Sequence, residues 1–239
     1  LFTTNEEEGL IGASQLKNDW LRGERLLNLD WEEEGTLVVG GAGGVRSILN
    51  KKVARLAALP ENWEYIRVGI AGLKGGHSGI QIDKGRGNAI KLLGRLLYDL
   101  TAKLPFSLVD IRGGVKTNVI PDQANALIAL DKKDLELLAQ KIEAWNGLLK
   151  AEFAISDSSV SLKMKQEKSS LLPMNSDSTQ KIIQALMLLP NGVQEMSQDV
   201  AGRVQSSTNL GVLETENDWV GMLSASRSSL ESQKNYMTG

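Results

Sequence analysis

The sequence contains no cysteine and a single histidine, His77, among its 239 residues. The absence of cysteine excludes disulfide bonds and thiolate metal ligands. Basic and acidic residues nearly balance, with a formal net charge of −2, and this offers no electrostatic basis for nucleic-acid binding. No apolar run approaches the roughly 20 residues that span a bilayer, so the sequence predicts no membrane-spanning helix.

The first 46 residues predict part of an α/β domain. Apolar segments at 1–5, 25–30 and 36–45 have the composition of buried strands, and residues 12–23 have the spacing of a short helix. A strand, a helix and a second strand in this order predict a right-handed crossover between parallel strands. We therefore expect a piece of a parallel sheet at the start of the chain.

Acidic residues follow two of these predicted strands. Glu6 and Glu7 come after the first strand, and Asp30 ends the second. Because parallel strands end at one edge of a sheet, where open α/β sheets bind ligands, the topology brings these carboxylates together. Carboxylates in a cleft bind a metal or share a proton. Plain surface charge is the alternative, and we prefer it for Glu8 and for residues 32–34.

The rest of the chain predicts a second domain of a different kind. Apolar and polar residues alternate from Trp63 onward, which is typical of antiparallel strands with one exposed face. We place the boundary between Arg46 and Asn62, with one domain at 1–46 and the other at 47–239. Strands and amphipathic helices then follow the ferredoxin-like order βαββαβ over about 63–165, and an incomplete second unit covers about 177–239.

Three further residues are candidates for ligand binding. His77 lies in the glycine-rich segment GLKGGHSG, Asn118 in GGVKTNVIP, and Arg227 ends the strand GMLSASR. Glycines allow the backbone to approach a ligand closely, and an arginine fork suits a carboxylate. Each residue also has an ordinary interpretation, as a surface histidine, a turn asparagine or a solvated strand end. The segment GGAGG lacks the third glycine of a dinucleotide-binding fingerprint, which makes a nicotinamide-dependent oxidoreductase improbable.

Several segments together resemble one family over nearly the whole chain. TTNEEEGLIGA, LLNLDWEEEG, GLKGGHSGIQIDKGRGNAIKLLGRLL, GGVKTNVIPDQA and SSTNLGVL are similar to the bacterial aminoacyl-histidine dipeptidases, which hydrolyse Xaa-His dipeptides such as carnosine. These enzymes belong to the two-zinc aminopeptidase and carboxypeptidase superfamily. The resemblance implies a zinc-binding α/β catalytic domain that is interrupted by an α+β lid domain.

The resemblance also implies roles for the acidic residues. Glu6 matches the general base that takes a proton from the water between two zinc ions, and Glu7 and Asp30 match one carboxylate ligand on each metal. The resemblance does not decide between zinc and other divalent metal ions. The chain departs from the family pattern at Asn5, where an aspartate often precedes the glutamate pair.

On the lid, the resemblance implies substrate contacts. His77 matches a histidine that donates a hydrogen bond to the developing oxyanion, in its own chain's site or a partner's. Arg227 and Asn118 match residues that hold the substrate's terminal carboxylate, so short peptides with a free C-terminus are the implied substrates. The resemblance further implies a cytoplasmic enzyme and allows a homodimer through the lid.

The histidine count limits what this polypeptide can do by itself. A dinuclear site of this family needs two histidine ligands, and the one histidine of the chain lies on the lid. We therefore expect the chain to be an internal fragment that binds zinc weakly or not at all and hydrolyses nothing alone. The alternative interpretation is a non-catalytic binding or dimerisation module built from ferredoxin-like repeats.

Overall fold

The computed structural model describes residues 2–5, 10–17, 19–25, 27–29 and 34–238. These residues form two compact units, one within residues 1–41 and the other within 42–239. None of the described helices is long and apolar enough to cross a membrane.

The described part of residues 1–41 differs from its prediction. Its one regular element is the four-residue helix α1, Ile11–Ser14, where the sequence predicted a longer helix over 12–23. No described residue in the predicted strands at 1–5, 25–30 and 36–42 is in a strand. Apolar side chains there are exposed, including Leu37 at 92%. A buried parallel strand requires neighbouring strands and covering helices, and the described residues of this unit supply neither.

The described residues of the unit within 42–239 form ten strands and four α-helices. Its ten strands are β1 Gly43–Lys52, β2 Trp63–Ala71, β3 Gly76–His77, β4 Phe106–Gly113, β5 Val119–Ile120, β6 Ala124–Asp131, β7 Ser161–Glu167, β8 Gly192–Met196, β9 Val204–Glu216 and β10 Trp219–Ser228. Its four helices are α2 Ala89–Thr101, α3 Leu135–Glu152, α4 Ser176–Leu188 and α5 Glu231–Tyr236. The elements predicted from Trp63 onward are confirmed, with ends that shift by a few residues.

Eight of these strands form one antiparallel sheet. The strand order is β1-β10-β9-β4-β6-β2-β7, and β8 pairs with β9 beside this path. The short strands β3 and β5 form a separate two-stranded ribbon. Because β4 pairs with β9, the strands β2, β4, β6 and β7 lie in a single continuous sheet with β1, β8, β9 and β10.

Strand β1 extends into the stretch between Arg46 and Asn62, where the sequence predicted a domain boundary. Strand β1 starts at Gly43 and continues to Lys52, and each of its ten residues is paired with a residue of β10. Gly43 and Gly44, at the end of the strand predicted over 36–45, are the first residues of β1 instead. Hydrogen bonds from β10 supply the ordering that the local sequence does not predict, since β10 lies about 170 residues further along the chain.

The main hydrophobic core lies between the sheet and the helices. Helix α2 packs on β2, β4, β6 and β9 and contacts both α3 and α4. Asn88 caps α2 by accepting hydrogen bonds from the backbone amides of Ile90 and Lys91. The leucines of α2 are buried, as their spacing of three and four residues predicted. This packing gives the loops at the ends of α2 a rigid base.

Candidate functional site

The His77 loop connects β2 to α2 and is anchored at both of its ends. Asp157 is 1% exposed, and its carboxylate accepts hydrogen bonds from the backbone amides of Lys74 at 2.7 Å and Gly87 at 2.9 Å. Gly75 and Gly76 have φ angles of 60° and 130°, which disfavour any side chain. One buried carboxylate therefore closes a glycine-containing loop, with His77 between the two anchored ends.

His77 itself is exposed and its imidazole is oriented by its own loop. Its backbone amide donates to the Gln81 side-chain oxygen at 3.0 Å, and its Nδ1 accepts a hydrogen bond from the Gly79 amide at 3.3 Å. A neutral imidazole that accepts at Nδ1 carries its proton on Nε2. The Nε2–H group is therefore left as a donor for a ligand.

Arg227 lies on β10 with an unpaired guanidinium. Its side chain makes no hydrogen bond or salt bridge with any residue in the described ranges, and its Nε is buried without a partner. Its strand position pairs with Gly44 on one side and Ser207 on the other. A half-buried cation that the rest of the described chain leaves unpaired is suited to an anionic group from outside.

His77 and Arg227 meet at Gly79. A Cβ atom placed on Gly79 would lie 2.8 Å from Cε1 of His77 and 3.2 Å from Cζ of Arg227. Both side chains therefore contact the same point in space, although 150 residues separate them in the sequence. A methyl group at this position would displace the imidazole or the guanidinium from the arrangement seen here.

Asn118 belongs to the loop between β4 and β6 and is tied to the His77 loop through its backbone. Its carbonyl accepts a hydrogen bond from the Ser78 amide at 2.8 Å, and the next residue, Val119, pairs with His77 in the β3–β5 ribbon. The Asn118 side chain is half-buried and makes no hydrogen bond within the described part of the chain. The fold thus brings together His77, Asn118 and Arg227.

The structure does not test the roles predicted for the acidic residues. Glu6, Glu7 and Asp30 fall outside the residues that the structure describes. Among the described residues, no three His, Cys, Asp or Glu side chains converge as a metal site would require. The metal-binding interpretation of these carboxylates stays a prediction.

Sequence reasoning missed two side chains that hold the site. Asp157 lies in SDSSVS, which has the composition of a polar turn, yet it is buried and anchors the His77 loop. Asn209 lies in SSTNLGVL on β9 and donates to two backbone carbonyls beside Asn118. No local signal distinguishes these residues from ordinary turn and strand positions, because their partners are 70 to 92 residues away.

The chain that carries this site matches one domain model and is similar to known proteins. Residues 68–157 match the model of the peptidase dimerisation domain. The chain is 35% identical to the cytosol non-specific dipeptidase of Escherichia coli strain K12 over 237 residues, which are 99% of this chain and 49% of that protein. It superposes on the crystal structure of the aminoacylhistidine dipeptidase from Vibrio alginolyticus with a TM-score of 0.86 and 36% identity, covering 98% of this chain and 48% of that one.

The chain therefore spans about half the length of the relatives that it matches. The match extends over both compact units and includes the loops that carry His77 and Asn118 and the strand that carries Arg227. By sequence and by fold, the chain is homologous to about half the length of the cytosol non-specific and aminoacylhistidine dipeptidases, and it contains a match to the peptidase dimerisation domain.

Proposed function

We propose that this chain is the substrate-gripping part of a metal-dependent dipeptidase that hydrolyses Xaa-His dipeptides. The observation that carries the proposal is the meeting of His77 and Arg227 at Gly79, with hydrogen-bond donors of both side chains left without partners in the described chain. A dipeptide places an anionic carboxylate and a scissile carbonyl a few ångströms apart. Two adjacent donor groups of this kind match that separation.

Each donor has a distinct role in the proposed reaction. The guanidinium of Arg227 binds the terminal carboxylate of the substrate through paired N–H groups, which restricts the enzyme to peptides with a free C-terminus. The Nε2–H of His77 donates to the oxygen of the scissile carbonyl as negative charge develops on it. Asn118, which shares the ribbon with His77, supplies a further hydrogen bond to the substrate.

The acidic residues at the start of the chain have the proposed metal-related roles. Glu6 would act as the general base, and Glu7 and Asp30 would each supply a carboxylate to a metal ion. Two zinc ions would lower the pKa of a shared water and polarise the scissile carbonyl. Carboxylates are suitable zinc ligands, but each zinc requires about four ligands in all. Since His77 is the only histidine, the remaining ligands come from polypeptide beyond this chain.

The peptidase dimerisation domain at residues 68–157 supports a homodimer as the functional assembly. The name of the Escherichia coli relative refers to the cytosol, and we propose the same compartment for this protein. Whether His77 serves its own chain's site or that of a partner is decided by mixing two inactive variants, H77A and E6Q. Activity recovered in the mixed dimer indicates a contribution across the interface.

The test of the proposed function compares a dipeptide with its C-terminal amide in the full-length, zinc-loaded enzyme. Wild type is expected to prefer the free carboxylate by about 100-fold, and Arg227→Ala is expected to lose that preference. His77→Ala is expected to lower kcat by roughly 100- to 1000-fold, since it removes one oxyanion donor. Arg203→Ala, on an exposed loop, is the control for the loss of one positive charge.

Two outcomes would contradict the proposal. If Arg227→Ala keeps the preference for free carboxylates, the guanidinium does not bind the substrate's C-terminus. If isothermal titration shows tight binding of two zinc ions to the 239-residue chain alone, the ligands are not divided between this chain and further polypeptide.

A further inference from the structure

Asn209 connects the central sheet to the loop that carries Asn118. It lies on β9 with an exposed fraction of 1%, and its side-chain amide donates to the carbonyl of Thr117 at 2.9 Å and to that of Val119 at 2.8 Å. These two carbonyls flank Asn118 in the chain. One side chain therefore fixes the backbone on both sides of a residue that we place in the substrate site.

The orientation of the Asn209 amide is set by its surroundings. Two carbonyl oxygens face its nitrogen, so the nitrogen and not the oxygen must point to the loop. On the other side, its oxygen is 3.5 Å from the amide nitrogen of Asn88, which also donates to the carbonyl of Leu210 and to Asn191. Asn191 in turn accepts from the Leu210 backbone amide at 2.9 Å. Two buried asparagines and the half-buried Asn191 thus form one network, and Asn209 is the member that contacts the loop.

The loop rests directly on the backbone of β9 beside Asn209. A Cβ atom on Gly211 would lie 2.6 Å from Cα of Thr117 and 2.8 Å from the carbonyl oxygen of Lys116. Only glycine allows the two backbones to approach this closely. The Asn209 side chain, two residues earlier on β9, then fixes the position of the loop through its two hydrogen bonds. A shift of the loop would break both hydrogen bonds that the Asn209 side chain donates to it.

The same anchor extends to His77. Val119, whose carbonyl Asn209 holds, pairs with His77 in the ribbon, and the carbonyl of Asn118 accepts from the amide of Ser78. By contrast, Arg227 is on β10 and is held by strand pairing, with Ser207 as its partner on β9. Asn209 therefore sets where the two loops stand relative to the backbone of Arg227, which strand pairing fixes.

We propose that Asn209 is a positioning residue that holds His77 and Asn118 at the correct distance from Arg227 for catalysis. The inference rests on the proposed function, because it assigns those three residues to the substrate. It predicts that Asn209 acts through His77 and that carboxylate recognition by Arg227 does not depend on it.

The main test is Asn209→Ala in the full-length, zinc-loaded enzyme, with Asn191→Ala as the matched control. Asn209→Ala removes three hydrogen bonds of this network and Asn191→Ala removes two, but only the first releases the loop carbonyls. We expect Asn209→Ala to lower kcat by about 10- to 100-fold while the preference for a dipeptide over its amide is retained. Asn191→Ala should change kcat by less than about threefold.

A mutant cycle separates positioning from general destabilisation. If Asn209 acts through His77 and Asn118, Asn209→Ala should lower kcat by less than about twofold in a background that carries both His77→Ala and Asn118→Ala. Multiplicative losses in that background would overturn the inference, as would equal losses in the Asn209 and Asn191 variants at equal folded fractions. Asn209→Ser retains one hydroxyl donor, and it serves if the alanine variant does not fold.

Hydrogen exchange provides a measurement that does not depend on activity. The Ser78 amide, which donates to Asn118, should exchange at least 10-fold faster in the Asn209 variant and be unchanged in the Asn191 variant. If the wild-type enzyme fails to hydrolyse dipeptides, the proposed function is wrong, and this exchange rate still tests the anchor. If the Ser78 rate is unchanged in the Asn209 variant, the positioning role is wrong whatever the substrate.

Discussion

Two apolar segments of similar composition differ in secondary structure and in burial. Residues 27–29 read LNL and are outside any strand, with Leu27 and Leu29 each 89% exposed. Residues 124–131 read ANALIALD and form β6, whose residues Ile128 and Leu130 are fully buried. The second segment pairs with β2 and β4 on either side and is covered by α2.

This difference teaches that an apolar run becomes a strand only where partners for its backbone are available. Within the described part of residues 1–41 there is no strand to pair with, and apolar side chains stay in solvent. The unit within 42–239 supplies partners from remote parts of the chain. We therefore expect substitutions to have unequal effects in the two units, and the following predictions test that expectation.

The largest effect is expected from truncating a core leucine. Leu93→Ala, on the buried face of α2, should lower the free energy of unfolding by about 2–5 kcal/mol, because it leaves a cavity between helix and sheet. Leu37→Ala, at 92% exposure, should change it by less than about 0.5 kcal/mol. Urea unfolding followed by circular dichroism measures both. Equal losses would show that residues 1–41 contribute to a packed core after all.

The anchor of the His77 loop should give the next largest effect. Asp157→Ala leaves the amides of Lys74 and Gly87 without acceptors, and each buried unsatisfied group costs about 1–3 kcal/mol. We expect the free energy of unfolding to fall by about 2–4 kcal/mol, with faster hydrogen exchange at both amides. Asp83→Ala removes an exposed carboxylate from the same loop and is the control. If the two variants are equally stable, Asp157 does not anchor the loop.

A smaller loss is expected at the contact between α2 and α4. The ammonium group of Lys91 donates to the carbonyls of Leu186, Met187 and Leu189 at the C-terminal end of α4, and its partial burial lowers the pKa of Lys91. Lys91→Met should cost about 1 kcal/mol, since three terminal carbonyls lose a charged donor but the desolvation of the ammonium is relieved.

The control for Lys91 is Lys181→Met on the exposed side of α4. Lys181 pairs with Asp177 one turn away, and such surface pairs contribute at most about 0.5 kcal/mol. If the Lys181 variant is as destabilised as the Lys91 variant under urea, the carbonyls of α4 do not depend on α2 for their hydrogen bonds.

The smallest effect concerns a surface ion pair and its pH dependence. Arg95 donates to both carboxylate oxygens of Glu152, at 2.8 and 2.9 Å, and these hydrogen bonds lower the pKa of Glu152 below its ordinary value of 4.5. A lowered pKa in the folded state stabilises the protein above pH 4.5, and this contribution is lost as the pH falls through the folded-state value.

Both side chains of this pair are partly exposed, so solvent screening limits its contribution to less than about 1 kcal/mol. Glu152→Gln should therefore be slightly less stable than wild type at pH 7, and the two should converge at acidic pH. Stability measured by urea unfolding across this pH range tests the prediction. A difference that grows on acidification contradicts the lowered pKa.

The sequence by itself determined the elements from residue 63 onward. Period-two alternation located β2, continuous apolar runs located β4 and β6, and leucine spacing located α2 and α3, because the residues of each element encode which of its faces are buried. The glycine-rich loop around His77 was also evident, since glycines at positive φ leave a mark in the sequence. The acidic prediction for Glu6, Glu7 and Asp30 rests on the sequence and the resemblance alone.

Only the tertiary structure decided how the candidate site is assembled. The approach of His77 and Arg227 to Gly79 brings together positions 150 residues apart, and the anchors at Asp157 and Asn209 come from other parts of the chain. It also decided that β1 is a strand and that the described apolar residues before it are not. Local patterns encode which face of an element is apolar, but the pairing of strands and the meeting of side chains depend on contacts between remote segments, which no local pattern contains.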